Sequence, residues 1–103
     1  MNLLSRYEEI ILLTILKLGD EAYGVSIREK IFQDSGNLWS FASIYTPLEK
    51  LKRKGFVVKK AGSPSNERGG KSKYFYTVTE EGKQALLEIR TAQDKFWKGV
   101  PDF

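Results

Sequence analysis

Hydroxyl and cationic side chains recur along one side of a helical segment between positions 40 and 56. At about 3.6 residues per turn they occupy one face, and they are Ser43, Thr46, Lys50 and Arg53. Short hydroxyls can approach the floor of a DNA groove closely, whereas lysine and arginine reach flanking phosphates or guanine edges. The pattern therefore indicates a DNA recognition helix. The alternative is an amphipathic surface helix whose charged outer face is simply solvated.

The opposite side of the same segment is apolar, as a helix that must be held in place requires. Phe41, Ile44, Leu48 and Leu51 form this stripe, and we expect them to be buried. Gly55 is expected to end the helix, because glycine adopts the left-handed conformation at low cost.

Pro47 makes the first residue of this helix important. If the helix starts at Ser40, Pro47 lies in its interior, removes a hydrogen bond and should kink it. If the helix starts at Ser43, Pro47 lies in the first turn, where proline disturbs less. The sequence leaves both starts open.

The residue types argue against catalysis. The sequence contains no histidine and no cysteine, so the usual general bases, thiol nucleophiles and most transition-metal ligand sets are missing. It also lacks a phosphate-binding fingerprint. The acidic pairs Glu8-Glu9 and Glu80-Glu81 stand at predicted helix starts, where capping and the helix dipole explain them. We expect no enzyme activity, no cofactor and no metal site.

The overall composition predicts one small globular domain whose net positive charge favours polyanionic partners. The 103 residues include 41% hydrophobic residues and carry a formal charge of +4. Charged residues interrupt the apolar stretch from Leu3 to Leu18, so neither a signal peptide nor a membrane span is expected. The expected location is the cytoplasm, in association with the bacterial nucleoid.

The chain is expected to open with a helix. Ser5 and Glu8 have the spacing of a capping box, and Gly19 is suited to the end of the helix. Its apolar residues, which include Leu13 and Leu16, are numerous enough to be buried on more than one side.

A second helix is predicted from about Tyr23 to Gln33, with Arg28 among its solvated residues. Turn-forming residues at 34–37 follow, and the basic helix comes next.

From position 56 the hydrophobic period changes to two. Residues 56–60 and 73–78 are predicted strands, and the glycine- and serine-rich loop between them is basic. This pattern indicates a hairpin with a long basic tip. Thr79 is expected to cap a fourth helix that continues to about Lys98, where Gly99 and Pro101 end it.

The order of these elements describes a winged helix-turn-helix, in a fold that is mainly α with a small β-hairpin (α+β). Such a fold inserts its third helix into the major groove and lays its hairpin along the backbone or the adjacent minor groove. We assign residues 1–78 to the DNA-binding domain. Residues 79–103 form a dimerisation helix and tail within the same structural unit.

The last helix carries an apolar stripe that ends in two aromatic residues. The stripe is longer than so small a core can cover, so it should pack against a second subunit with twofold symmetry. The alternative is that the helix folds back on its own subunit. The residues expected at the dimer interface are Leu86, Ile89, Gln93, Phe96 and Trp97.

Several motifs together resemble the PadR-type transcriptional regulators, in particular the short kind with a single C-terminal helix. Tyr23-Gly24 resembles the start of that family's second helix. Ser43-Ile44-Tyr45, with Leu48, Leu51 and Gly55-Phe56, resembles its recognition helix, and Lys73-Tyr74-Phe75-Tyr76 followed by Val78-Thr79-Glu80-Glu81-Gly82 resembles its signature after the wing. The match spans about Ile11 to Ala85. One departure is Thr46, since family members often carry proline directly after the tyrosine.

The resemblance implies a homodimeric repressor that binds a pseudo-palindromic operator in double-stranded DNA. It places Ser43, Tyr45 and Thr46 at the DNA surface, beside the Lys50 and Arg53 of the helical face. It makes Arg68, Lys71 and Lys73 the wing contacts. For Tyr45, contact with a phosphate and packing of the ring are both open.

The resemblance also implies a possible effector. Some short members of the family bind flat hydrophobic compounds between aromatic residues at the dimer interface, and Phe96 and Trp97 could do so here. The alternative is that both are interface anchors. An alternative for the whole chain is a winged-helix module that binds protein, as an antirepressor or scaffold, and does not bind DNA.

Overall fold

The computed structural model describes residues 4–62 and 73–103, and the elements follow the predicted order. Helix α1 spans Arg6–Leu18 and is followed by a 3₁₀ turn, Gly19–Glu21; α2 spans Gly24–Ser35 and α3 spans Phe41–Arg53. Strands β1 (Val57–Ala61) and β2 (Tyr74–Val78) form an antiparallel hairpin, and α4 spans Glu80–Trp97. The predicted α+β winged-helix fold is confirmed. In the described ranges no helix is long and apolar enough to cross a membrane.

The core lies where α1, α2 and α3 meet, and the base of the hairpin and α4 complete it. Its fully buried side chains include Ile11 and Leu12 of α1, Ile27 of α2, and Ile44 and Leu48 of α3. Because three of the four apolar residues predicted on α3 face inward, the hydroxyl and cationic side of that helix is turned outward.

Three expectations about exposure are wrong. Leu13 and Leu16 are 43% and 44% exposed, because the core covers only one side of α1. Phe41 is 46% exposed, since it lies in the first turn of α3. Arg28 is partly buried: its Nε donates a 2.6 Å hydrogen bond to the carbonyl of Trp39, and its guanidinium lies 4.3 Å from the centre of the Phe41 ring.

The hairpin is tied both to the entrance of α2 and to α4. Tyr76 N donates to the carbonyl of Ala22 at 2.8 Å. Thr79 caps α4 by accepting from Gly82 N at 3.1 Å, and its own hydroxyl donates to the carbonyl of Gly55 at 2.7 Å. The residue that starts α4 is therefore bonded to the glycine that follows α3.

A buried carboxylate joins α1 to the end of α3. Glu8 completes the predicted capping box with Ser5, and its other oxygen lies 2.7 Å from Lys54 Nζ. Burial acts to raise the pKa of Glu8, but hydrogen bonds from Lys54 and Ser5 outweigh it and hold the pKa below its ordinary value. The ion pair thus fixes the position of α3 relative to α1.

Candidate nucleic-acid interface

Helix α3 starts at the earlier of the two predicted positions. Ser40 is the cap, and its Oγ accepts from Ser43 N at 3.1 Å. Pro47 therefore lies inside the helix, which runs from Phe41 to Arg53 without a break. Since proline has no amide hydrogen, the carbonyl of Ser43 receives no helical bond from that position.

The predicted contact residues of α3 lie on its outer side. Thr46, Lys50 and Arg53 are exposed, and Ser43 is partly buried. Within the described chain, neither Lys50 nor Arg53 has a carboxylate within 4.0 Å, whereas the neighbouring Lys54 is paired with Glu8. The two cations of this face are thus available to an anionic partner, although basic residues in a last helical turn also stabilise the helix dipole.

Tyr45 packs closely against the start of α2. A Cβ atom at Gly24 would lie 1.9 Å from the Tyr45 hydroxyl oxygen, so glycine is required for this contact. The Tyr45 ring also stacks on Phe41, with centroids 6.3 Å apart. The ring is nevertheless partly exposed. The packing alternative is therefore realised, and contact with a phosphate stays a prediction.

The hairpin lies beside α3. Tyr45 shares one cleft with Lys59 of β1 and with Lys73, the exposed residue before β2. Lys59 Nζ is also 3.8 Å from the carboxylate of Glu49 on α3. At this point the hairpin contributes two lysines, and α3 contributes a tyrosine and a carboxylate. The predicted wing contacts Arg68 and Lys71 fall outside the described residues.

The N-terminal end of α1 borders the same outer face, which the sequence did not indicate. Ser5 and Tyr7 line a groove of about 490 Å³ together with Ser43, Thr46 and Lys50. Tyr7 is exposed, and its ring meets Trp39 edge to face at 4.8 Å. The capping box signals the start of α1, but the groove depends on how α1 crosses α3, and no local pattern encodes that crossing.

The architecture and the sequence lead to the same family. The family described as "Transcriptional regulator PadR-like family" matches residues 12–88. The chain belongs to this family. The resemblance proposed from the motifs is confirmed, and the protein is a transcriptional regulator of the DNA-binding, winged-helix type.

Solved structures support this assignment. A PadR family transcription regulator from hypervirulent Clostridium difficile is 26% identical, with 91% of this chain and 93% of that chain covered and a TM-score of 0.65. A PadR-like transcription factor from Bacteroides fragilis is 21% identical, with 92% and 89% covered and a TM-score of 0.73. A transcriptional regulator from Clostridium thermocellum is 23% identical, with 92% and 90% covered and a TM-score of 0.65. The two below 25% identity are similar in fold. No curated protein matches the sequence.

In this PadR-like chain, the predicted interface stripe of α4 is divided between core and surface. Leu86 and Ile89 are 9% and 7% exposed and pack against their own subunit. Gln93 is partly buried, and its amide lies 3.3 Å from a carboxylate oxygen of Glu9. The part of the stripe that the subunit leaves uncovered is thus shorter than the sequence suggested.

The end of α4 is open. Phe96 and Trp97 are 73% and 63% exposed. The Trp97 ring has the ring of Phe103 parallel to it, with centroids 6.3 Å apart. These two aromatics remain candidates for the dimer interface and for the effector site.

A second apolar surface on α4 was missed by the sequence reasoning. Leu87 is 58% exposed and lines a groove of about 540 Å³ with Leu13, Leu16 and Leu86. The signal lay in α1, whose leucines outnumber the positions that one buried face can hold. Each leucine, considered separately, would be predicted to be buried in the core. The groove forms because α1 and α4 lie side by side, which no single leucine indicates.

Proposed function

We propose that this protein is a sequence-specific repressor that binds double-stranded DNA as a homodimer. The observation that carries the proposal is the outer face of α3. Thr46 and Lys50 line the groove bordered by Tyr7, and Tyr45 of the same helix lines the cleft that contains Lys59 and Lys73 of the hairpin. Hydroxyls and cations in this arrangement suit a major groove flanked by two phosphate backbones.

The test is the affinity for an operator selected from a random DNA library. Lys50→Ala or Arg53→Ala should weaken binding by ~1–3 kcal/mol where the side chain contacts a base. Where it contacts a phosphate, the substitution should flatten the dependence of binding on salt. Lys17→Ala is the control, because Lys17 is an exposed lysine at the end of α1, where it pairs with Asp34 away from the outer face of α3. Unchanged binding in both test variants contradicts the proposed role of α3.

The proposed dimer is joined through α4. Leu87, Leu13 and Leu16 form an uncovered apolar groove, and Phe96 and Trp97 continue the apolar surface along the helix. A second copy of the chain would cover these side chains, with Leu86, Ile89 and Gln93 behind them at the contact. For a straight duplex the two α3 helices must then lie about 34 Å apart, which is one turn of DNA.

Sedimentation velocity at micromolar concentration tests the dimer. Leu87→Glu should give monomers, because it places a charge in the apolar contact while replacing a side chain that the subunit itself leaves exposed. Phe32→Glu, at an exposed apolar position of α2, is the control and should leave the dimer intact. A wild-type protein that sediments only as a monomer refutes the interface.

The proposed effector is a planar hydrophobic compound that stacks on Trp97 and Phe96. What supports it is the exposure of both rings, of which Phe96 lines a groove of about 520 Å³ along α4. Trp39→Phe leaves Trp97 as the single tryptophan, so its fluorescence reports on this site alone. Ethidium should quench that fluorescence. Full quenching that survives in Trp97→Phe would place the dye elsewhere.

A further inference from the structure

A small cleft opens between the start of α2, the middle of α3 and the hairpin, from the middle of its strands to their loop end. It has a volume of about 250 Å³, and its walls include Gly24, Tyr45, Lys59, Lys73 and Tyr76. Three separate elements thus contribute polar groups to one space of about the size of a small anion with its solvent.

Backbone hydrogen bonds hold the walls of this cleft together. Tyr76 N donates to the carbonyl of Ala22, just before α2, at 2.8 Å. At the other end of β2, Gly62 N donates to the carbonyl of Lys73 at 2.7 Å. Tyr23 pairs with Phe75 as an isolated bridge, and their rings meet at 5.6 Å. The polar groups are therefore positioned before any ligand arrives.

Tyr76 is the unusual group in the cleft. Its side chain is only 3% exposed, and its hydroxyl forms no hydrogen bond with a described residue. Tyr76 is one of the residues that line the cleft. Buried hydroxyls in proteins nearly always have a partner. Burial, with smaller effects from Glu49 and Tyr45, raises the pKa of Tyr76, so at neutral pH the hydroxyl can donate a hydrogen bond.

The charges around the cleft favour an anion. Lys73 Nζ lies 4.3 Å from the centre of the Tyr23 ring and has no carboxylate within 4.0 Å among the described residues. Lys59 is partly neutralised by Glu49, at 3.8 Å. The first amides of α2 add partial positive charge at Gly24, as helix starts do. The Tyr45 hydroxyl lies against the same glycine.

We propose that this cleft binds one phosphate of the DNA backbone, next to the bases that α3 contacts. Tyr76 and Tyr45 donate hydrogen bonds to the phosphate oxygens, and Lys73 supplies the charge. The inference rests on the proposed DNA-binding function and gives Tyr76 a role beyond the core. It also assigns the closely packed Tyr45 to the backbone of the DNA, not to the bases.

The first experiment measures operator affinity by fluorescence anisotropy. Tyr76→Phe keeps the ring and removes the hydroxyl, and it should weaken binding about tenfold or more, as the loss of a hydrogen bond to a charged group does. Lys73→Gln should lower the slope of log K against log salt by about 0.9 for each bound subunit. Lys17→Gln, which makes the same charge change at the end of α1 where Lys17 pairs with Asp34, should leave both quantities close to wild type.

The second experiment replaces single operator phosphates by uncharged methylphosphonates, one position at a time. In each half-site, replacement of the one phosphate that occupies the cleft should weaken binding by the wild type. In Tyr76→Phe, the same replacement should cause no additional loss of affinity. Tyr45→Phe should likewise show no additional loss at that same phosphate. Because it changes an exposed ring, this variant replaces Tyr76→Phe in the experiment if Tyr76→Phe unfolds at a lower temperature than wild type.

The outcomes separate the two proposals. If the wild type binds no duplex, the proposed function fails. If it binds and Tyr76→Phe and Tyr45→Phe bind equally well, the function stands and the phosphate site is wrong. The site would also be refuted if the affinity lost in the tyrosine variants added to the affinity lost by methylphosphonate substitution at every position. Such additivity would mean that the hydroxyls do not contact any one of these phosphates.

Discussion

The start of α4 is packed so closely on the base of the hairpin that a single methyl group should disturb it. A Cβ atom at Gly82 would lie 2.3 Å from the carbonyl oxygen of Phe56 and 2.8 Å from Val78 Cγ1. The oxygen belongs to the backbone and also accepts a hydrogen bond from Thr79 N at 3.0 Å. Relief of the clash to an ordinary contact of 3.4 Å requires a shift of about 1 Å.

The size of the effect follows from opposing contributions. In an exposed helix, Gly82→Ala would stabilise the protein by about 1 kcal/mol. Overpacking typically costs about 1–3 kcal/mol, and disruption of the Thr79 cap costs about 1 kcal/mol more. We therefore expect a net destabilisation of about 1–3 kcal/mol, which corresponds to a fall in Tm of at least about 4 °C for a domain of this size.

Circular dichroism during urea and thermal unfolding measures this change, at one protein concentration because dimerisation would couple to folding. Gln84→Ala, at an exposed position of the same helix, is the control and should stay within about 0.5 kcal/mol of wild type. A Gly82→Ala protein as stable as wild type would show that α4 does not approach the carbonyl of Phe56 as closely as the structure has it.

Two further predictions concern the interface and its support. Gly24→Ala should displace Tyr45, whose hydroxyl would lie 1.9 Å from the new methyl group, and should lower operator affinity in a mobility-shift assay; full affinity would contradict the close packing. The lowered pKa of Glu8 stabilises the fold above its ordinary value of 4.5, and this stabilisation is lost as the pH falls through the folded-state pKa. Tm measured from pH 7 downward should therefore fall less in Glu8→Gln than in wild type, and parallel curves would exclude a contribution from Glu8.

The features that the sequence predicted well are those that short segments determine. The capping box at Ser5, the cap at Thr79 and the period-two strands are encoded within a few residues, and all are present in the structure. The order of elements followed from the same local patterns, and the family motifs agreed with it. The outward position of Lys50 and Arg53 followed from helical geometry alone, since the apolar side of α3 could be buried in one direction only.

The features that the sequence could not predict depend on contacts between distant segments. The exposure of Leu13 became evident once α4 lay beside α1. Phe41 is paired with Arg28, thirteen positions earlier, and Tyr45 depends on the missing side chain of Gly24. Periodicity identifies the apolar residues of a helix but not how many of them the rest of the chain can cover. Leu13 and Phe41 are exposed because the rest of the chain does not cover every apolar residue of their helices.

The junction between α3 and α4 bears on how the proposed dimer would be regulated. The backbone of Gly55 and Phe56, directly after α3, accepts both hydrogen bonds donated by Thr79, and the absent side chain of Gly82 lets α4 lie against the same carbonyl. If α4 rotates, either the hydrogen bonds of the Thr79 cap must break or the end of α3 must move with it. In a dimer joined through α4, a ligand stacked on Trp97 would act at one end of a rigid helix whose other end holds α3. The spacing of the two α3 helices would change with it, which is the geometric quantity on which operator binding depends.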